Sequence, residues 1–219
     1  MKTAIILGAT GLTGSQLLDL LLQDTRFSTV KILVRRTVGF THPKLKEHIV
    51  DFDQPKYWSS IVTGDVLFST LGTTLKKAGS QEAQYEVDYN YQYQVAEIAA
   101  RNGVPTYVLV SASGANENSP FFYLRTKGEL DQAVQRLRFR RINIMRPGFL
   151  DGDRKESRAM EKLGLKTIKA LNNWGLLHNF RPIHVRQLAR IMIEIAFEET
   201  IGVKIYEAAE LLAFPEHSA

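Results

Sequence analysis

Short runs rich in Ile, Val and Leu alternate along the chain with longer segments whose apolar residues recur at helical spacing. This alternation is typical of βαβ units, in which helices cover both faces of a parallel sheet. The continuous apolar runs also fit strands that are buried on both faces. We therefore predict an α/β fold with a doubly wound parallel sheet. The predicted strands are 3–7, 29–34, 47–50, 65–69, 106–111, 141–145 and 203–206.

Helices are predicted between these strands, and their ends carry recognisable signals. Ser119 and Pro120 fit an N-cap followed by the first helical position, so a helix is predicted from there to about Arg138. The other predicted helices are 14–23, 81–102, 157–173 and 185–199. A chain of 219 residues can bury one core. We expect a single domain over residues 1–219, in which 147–219 contribute a small C-terminal substrate cap.

Composition excludes several classes of protein. Hydrophobic residues make up 44% of the chain, which argues against disorder, and the absence of Cys excludes disulfide scaffolds and thiol nucleophiles. The first apolar run ends at Gly8, short of a signal sequence, and no run reaches the ~20 residues of a membrane span. We expect a cytoplasmic protein without a membrane segment. The five scattered histidines predict no metal site, and a net charge of +5 is too small to indicate nucleic-acid binding.

The first predicted strand leads into a glycine-rich turn, Gly8-Ala9-Thr10-Gly11-Leu12-Thr13-Gly14, that opens a helix. Glycines at these positions let the backbone approach a pyrophosphate, which the N–H groups of the helix end then bind. The Gly-x-x-x-x-Gly-Lys pattern of nucleoside triphosphatases is absent. We predict a dinucleotide site here. Its candidate residues in this turn are Gly8, Thr10, Gly11, Leu12, Thr13 and Gly14.

Residues after the next strands indicate which dinucleotide binds. Arg35 and Arg36 follow the second strand, where an NAD-binding fold usually has an acidic residue, and guanidinium groups suit the 2′-phosphate of NADP(H). Asp51 follows the third strand, where it either meets the adenine edge or, with Asp53, caps the following turn. The small residues after the fourth strand predict that the cofactor crosses the sheet edge there. These further candidates are Leu71, Gly72 and Thr73.

A tyrosine and a lysine stand four residues apart on the helix predicted after the fifth strand. Tyr123 and Lys127 therefore project from one face of that helix. A phenol has a pKa of about 10, so acid–base work near neutrality requires a positive charge close by, and a lysine one turn away supplies it. The preceding strand ends at Ser111, with Ser113 two residues later, and either hydroxyl can bind a substrate carbonyl. This arrangement predicts an active site with a Ser, Tyr and Lys set.

These motifs together resemble the short-chain dehydrogenase/reductase superfamily. The glycine-rich turn looks like that of its atypical members, Tyr123 to Lys127 like the Tyr-x-x-x-Lys pair, and Arg146-Pro147-Gly148 like the segment after the sixth strand. More narrowly, the chain is similar to the Tat-interacting-protein-like oxidoreductases in Leu71-Gly72-Thr73-Thr74, Ser111-Ala112-Ser113-Gly114-Ala115 and Asp153-Arg154-Lys155-Glu156-Ser157-Arg158.

The resemblance implies an NADP-binding Rossmann fold with Ser111, Tyr123 and Lys127 as the catalytic set. Ser111 is favoured over Ser113 because Gly114 follows it by three positions, as in the superfamily pattern. Lys127 would also hold the cofactor ribose, and Pro147 would lie over the nicotinamide.

The function expected from the sequence is that of an NADP-dependent oxidoreductase that transfers hydride to a carbonyl or conjugated small molecule, with the tyrosine as acid and base. The alternative is a regulatory or redox-sensor protein that binds NADPH without turnover. By analogy with other folds of this class, the helix over 81–102 is expected to pair with a second copy in a homodimer.

Overall fold

A computed structural model describes residues 1–152 and 181–215 of the chain. The strands in these ranges are β1 Lys2–Leu7, β2 Phe27–Val34, β3 Leu45–Ile49, β4 Val66–Ser69, β5 Thr106–Val110, β6 Arg141–Arg146, β7 Leu150–Asp151, β8 Ile183–His184 and β9 Gly202–Glu207. Seven of them form one parallel sheet in the order β3-β2-β1-β4-β5-β6-β9, and β7 pairs with β8. The predicted doubly wound parallel sheet is confirmed.

Helices follow most of the strands. They are α1 Leu12–Gln23, α2 Leu75–Ala78, α3 Gln81–Tyr85, α4 Tyr91–Arg101, α5 Phe122–Val134, α6 Val185–Ile195 and α7 Ala208–Leu212. A π-helical turn, Glu86–Asn90, joins α3 to α4, so the helix predicted over 81–102 is continuous but locally widened. Two short 3₁₀ turns, Pro55–Tyr57 and Ser59–Ile61, precede β4.

The predicted start of the helix after β5 is wrong by two residues. Phe121 has extended backbone angles, φ −84° and ψ 119°, and α5 begins at Phe122. The Ser119 hydroxyl oxygen accepts a hydrogen bond from the backbone N–H of Phe121 at 3.2 Å. Ser119 therefore caps a turn that precedes the helix. Tyr123 still lies in the first turn of α5.

The sheet is covered on both faces. On one face, Leu17 and Leu21 of α1 pack with Leu188 and Met192 of α6 over the inner strands. On the other face, α4 and α5 cover the sheet, and Leu130 and the strand residue Tyr107 are fully buried there. Helices on the two faces hold the strand ends rigidly, because close-packed interiors resist displacement.

The C-terminal part contributes to the main body of the fold. α6 packs beside α1, and β9 pairs with β6 in register from Arg141 opposite Gly202 to Arg146 opposite Glu207. The helix predicted over 157–173 and the polar motif Asp153 to Arg158 lie outside the described residues. A substrate cap from 147–219 therefore stays a prediction. In the described ranges, no helix has the length and apolar character needed to cross a membrane.

Candidate cofactor and active site

The glycine-rich turn lies at the carboxyl edge of the sheet, where β1 meets α1. Gly8 has φ +91°, and a Cβ added there would lie 2.5 Å from the backbone nitrogen of Leu71. A Cβ on Gly14 would lie 2.6 Å from Oγ1 of Thr70 and closer still to the carbonyl oxygen of Gly8. The predicted tight turn is confirmed, and its glycines let α1, the turn and the segment after β4 approach one another closely.

The first turn of α1 has the features of an anion site. Gly11 is its N-cap, no side chain caps it, and no acidic residue lies in its first turn. The backbone N–H groups of Leu12 and Thr13 therefore remain available at the positive end of the helix dipole. A pyrophosphate would satisfy them, so the residues present fit a dinucleotide.

A buried polar network fixes the segment after β4. Asp88, which is 1% exposed, accepts hydrogen bonds from the backbone N–H of Thr73 at 2.8 Å and from the side-chain amide of Gln84 at 3.2 Å. Gln92 donates to the carbonyl of Asp88 at 2.7 Å and accepts from the Ser69 hydroxyl at 2.7 Å. This network holds Leu71, Gly72 and Thr73 at the sheet edge. Sequence reasoning missed it, because these polar residues resemble a solvated helix face.

Arg35 and Arg36 directly follow β2, and both side chains are exposed at the same edge of the sheet. That position is compatible with the predicted contact to a 2′-phosphate.

Asp51 takes part in the second of its two predicted roles. Its carboxylate accepts the backbone N–H of Asp53 at 3.0 Å, and its carbonyl accepts the Trp58 indole N–H at 2.7 Å. Asp53 in turn accepts the hydroxyl of Tyr91 at 2.9 Å. Burial and this hydrogen bond raise the pKa of Tyr91 to about 12. Asp51 thus caps the turn after β3, and its contact with adenine stays a prediction.

Ser111 continues β5 by one residue. Its backbone N–H donates to the carbonyl of Met145 at 2.8 Å, and that of Ser113 donates to the carbonyl of Pro147 at 2.9 Å. The Ser111 side chain is 5% exposed, and its buried hydroxyl has no hydrogen-bond partner among the described residues. The predicted strand-end serine therefore pairs with Met145 of β6, and its buried hydroxyl has no partner among the described residues.

The predicted tyrosine and lysine occupy different environments on α5. Tyr123 is 44% exposed, whereas Lys127 is 4% exposed. Next to Lys127, a Cβ on Gly128 would lie 2.6 Å from the Cα of Asn116. The glycine thus allows α5 to pack directly on the loop after β5.

Asp131, which sequence reasoning did not single out, lies one turn beyond Lys127 and is fully buried. One carboxylate oxygen accepts Nε of Arg146 at 3.0 Å, and Arg146 also pairs with Glu207 at 3.0 Å. Burial raises the pKa of the Asp131 carboxyl, while Ser111, Arg146 and Lys127 partly offset that rise. The only signal in the sequence is an aspartate four residues after Lys127. Ser111 and Lys127 both lie near enough to influence this one carboxyl group.

No group of three or more His, Asp or Glu side chains able to hold a metal ion occurs within 1–152 and 181–215.

Comparison with known proteins identifies relatives over most of the chain. A family model described as NAD(P)H-binding matches residues 8–196. The protein named FMP52, mitochondrial, of Candida albicans is 37% identical over 206 residues, which cover 89% of this chain and 87% of that protein. The protein named HTATIP2 of Rattus norvegicus is 38% identical over 179 residues, which cover 80% of this chain and 74% of that protein.

The fold also matches solved structures. A short-chain dehydrogenase/reductase superfamily protein from Agrobacterium tumefaciens with bound NAD has a TM-score of 0.68 and 16% sequence identity. The match covers 97% of this chain and 80% of that one. At this identity the likeness confirms the Rossmann fold alone.

These relatives correct one expectation from the sequence. The predicted cytoplasmic location is wrong, because similar fungal proteins, including the one from Candida albicans, are named mitochondrial proteins. The absence of a long apolar run near residue 1 was not informative about the compartment.

Proposed function

Because the chain belongs to the NAD(P)H-binding family as an atypical short-chain dehydrogenase/reductase, we propose that it is an NADP-dependent oxidoreductase with Ser111, Tyr123 and Lys127 as its catalytic set. The proposed reaction transfers hydride to a carbonyl or conjugated small molecule. The observation that carries this proposal is the placement of Lys127, buried on α5 one turn after Tyr123, together with the buried, unpartnered hydroxyl of Ser111 at the end of β5.

The preference for NADP over NAD rests on the residues after β2. Arg35 and Arg36 are exposed at the sheet edge. The short segment that follows them, up to β3, contains no Asp or Glu. A guanidinium binds a phosphate with charge-assisted hydrogen bonds, whereas a free ribose hydroxyl pair is better served by a carboxylate.

The uncapped first turn of α1 would bind the pyrophosphate, and the segment from Leu71 to Thr73 would lie under the middle of the cofactor. The bound nicotinamide supplies a hydride. Lys127 would bind the ribose hydroxyls from its buried position on α5.

Two side chains of the protein then bind and protonate the substrate oxygen. The Ser111 hydroxyl donates a hydrogen bond to the substrate carbonyl oxygen and so polarises the bond. The phenol of Tyr123 gives its proton to the same oxygen as negative charge develops there. Tyr123 is the most accessible of the three side chains, which suits a group that meets a substrate arriving from solvent.

The test combines binding with turnover. The purified protein is titrated with NADPH and NADH, and absorbance at the nicotinamide band is followed with quinones, aldehydes and ketones. We expect tighter binding of NADPH and a Tyr123-dependent oxidation of it. Tyr123→Phe should abolish turnover with nearly unchanged NADPH affinity, and Tyr57→Phe is the matched control, because Tyr57 is 76% exposed on a 3₁₀ turn outside the site.

Three results would contradict the proposal. NADPH binding without turnover on a broad substrate panel would favour the regulatory alternative, and equal affinity for NADH would remove the role of the arginine pair. Loss of both binding and turnover in Tyr123→Phe would mean that this tyrosine is structural.

A further inference from the structure

We propose that Asp131 is a positioning residue of the active site. From its buried position on α5 it orients the Ser111 hydroxyl and the Lys127 ammonium group. This inference rests on the proposed function, since Ser111 and Lys127 are two members of the proposed catalytic set. Asp131 itself is not expected to contact substrate or cofactor, because it is fully buried.

The first support is the way the carboxylate is held. Arg146 binds only one of its two oxygens, Oδ2, at 3.0 Å. The other oxygen, Oδ1, is buried and has no hydrogen-bond partner among the described residues, and neither has the buried hydroxyl of Ser111. Buried polar atoms are nearly always paired, so two unpaired ones require an explanation, of which a catalytic role is one. Arg146 therefore fixes Oδ2, while Oδ1 remains able to accept a hydrogen bond from an active-site group.

The second support is the set of charged and titratable groups that surround this carboxyl group. Lys127 acts on it from the preceding turn of α5, Arg146 from β6, and Ser111 from the end of β5. The buried phenol of Tyr107 on β5 also interacts with its charge, and Glu207 lies on the far side of Arg146. Both cations thus face an acidic group that is enclosed in the core.

The arrangement explains how a buried lysine is held in place. A buried ammonium group needs a counter-charge, and the buried carboxyl of Asp131, one turn away on α5, interacts with the charge of Lys127. The negative charge of Asp131 holds Lys127 on the α5 side. Its free oxygen can only accept a hydrogen bond, so it orients the Ser111 hydroxyl until a substrate carbonyl replaces it as the acceptor. No proton leaves Asp131 in this role.

The test compares the full-length protein with its Asp131→Asn variant, which keeps the shape but removes the charge. We expect kcat to fall by about 10- to 100-fold, with a smaller loss of NADPH affinity, because the glycine-rich turn and the arginine pair still bind the cofactor while Lys127 is less well held. In the wild type, protonation of Asp131 at acidic pH should lower kcat/KM, and the variant should lack that acidic limb. Asp19→Asn is the control, because it breaks an ion pair of 2.7 Å with Arg186 outside the site.

A double-mutant cycle with Ser111→Ala separates positioning from a purely structural role. If Asp131 acts through Ser111, the two changes together should cost much less than the product of the single losses. Additive losses, or an unchanged acidic limb in Asp131→Asn, would overturn the inference. If Asp131→Asn does not fold, Arg146→Lys tests the role of the ion pair between Arg146 and Asp131. An unchanged kcat in that variant would also overturn the inference. Absence of turnover in the wild type would instead refute the proposed function, and this inference with it.

Discussion

The close approach of α1 to the glycine-rich turn predicts a specific cost for Gly14→Ala. The added Cβ would lie 2.6 Å from Oγ1 of Thr70 and closer to the carbonyl oxygen of Gly8, whereas ordinary contacts begin at 3.4 Å. The hydroxyl of Thr70 can rotate away, but the carbonyl belongs to the backbone of a tight turn. The N-terminus of α1 must therefore move by about 1 Å to accept the methyl group.

Two opposing terms set the effect on stability. Alanine in a helix is favoured over glycine by up to about 1 kcal/mol. Overpacking a rigid site costs about 1–3 kcal/mol. The overpacking should prevail, with a net loss of about 1–2 kcal/mol and a fall in Tm of roughly 2–8 °C for a chain of this size.

The effect on cofactor binding should be larger, because the same movement shifts the N–H groups of Leu12 and Thr13. The loss of one charge-assisted hydrogen bond to a phosphate costs about 1.5–3 kcal/mol. The Kd for NADPH should therefore rise about 10- to 100-fold. Fluorescence titration with NADPH, together with thermal unfolding in its absence, measures both quantities.

Gly103→Ala is the matched control for this experiment. Gly103 has φ +80°, and an added Cβ meets no atom within 4 Å. Alanine there should cost roughly 1 kcal/mol of backbone strain and leave the Kd for NADPH unchanged. A wild-type Kd in Gly14→Ala would refute the reasoning that the position of α1 determines cofactor binding.

Three further predictions test other parts of the structure. Arg35→Asp should reduce the preference for NADPH over NADH by at least about tenfold in paired titrations; an unchanged ratio would exclude Arg35 from the phosphate contact. Leu188→Ala should lower the free energy of unfolding by about 2–5 kcal/mol in urea, because Leu188 is fully buried between α6 and the sheet. Burial opposes ionisation of Asp24, but hydrogen bonds from Arg26 lower the pKa of this carboxyl below 3.8. The pair therefore stabilises the fold above the unfolded-state pKa, and this stabilisation is lost as the pH falls through the folded-state pKa. Asp24→Asn should therefore cost about 0.5–1 kcal/mol at pH 7, with a difference from wild type that shrinks in acid; a difference that grows in acid would contradict the assignment.

The inner strands of the sheet were predictable from the sequence because they are buried on both faces. Such strands appear as uninterrupted apolar runs, and the observed β6, Arg141–Arg146, differs from the prediction by a single residue. The helix start at Ser119 was not predictable in this way. Ser and Pro favour a turn as well as a helix start, and the choice depended on the loop after β5, which packs on Gly128.

The candidate site was predictable only where it follows strand ends and glycine turns. Asp88 and Asp131 were missed, because each is a single polar residue on a helix whose burial depends on contacts with distant strands. In a sequence, such a residue cannot be distinguished from one that faces solvent. Lys127 was found through its spacing from Tyr123, yet its burial was not predictable either.

The π-helical turn between α3 and α4 has a consequence for how this region tolerates changes in length. A π turn holds one residue more than an α turn, and each helical residue rotates the chain by about 100°. Deletion of one residue within 86–90 would restore regular α geometry and turn the two ends of this long helix relative to each other. Asp88 and Gln92 would then no longer both face Thr73 and Ser69. A single deletion here should therefore be more damaging than any single substitution on the exposed face of the same helix. The hydrogen bonds that hold the sheet edge depend on the number of residues in this turn as much as on their identity.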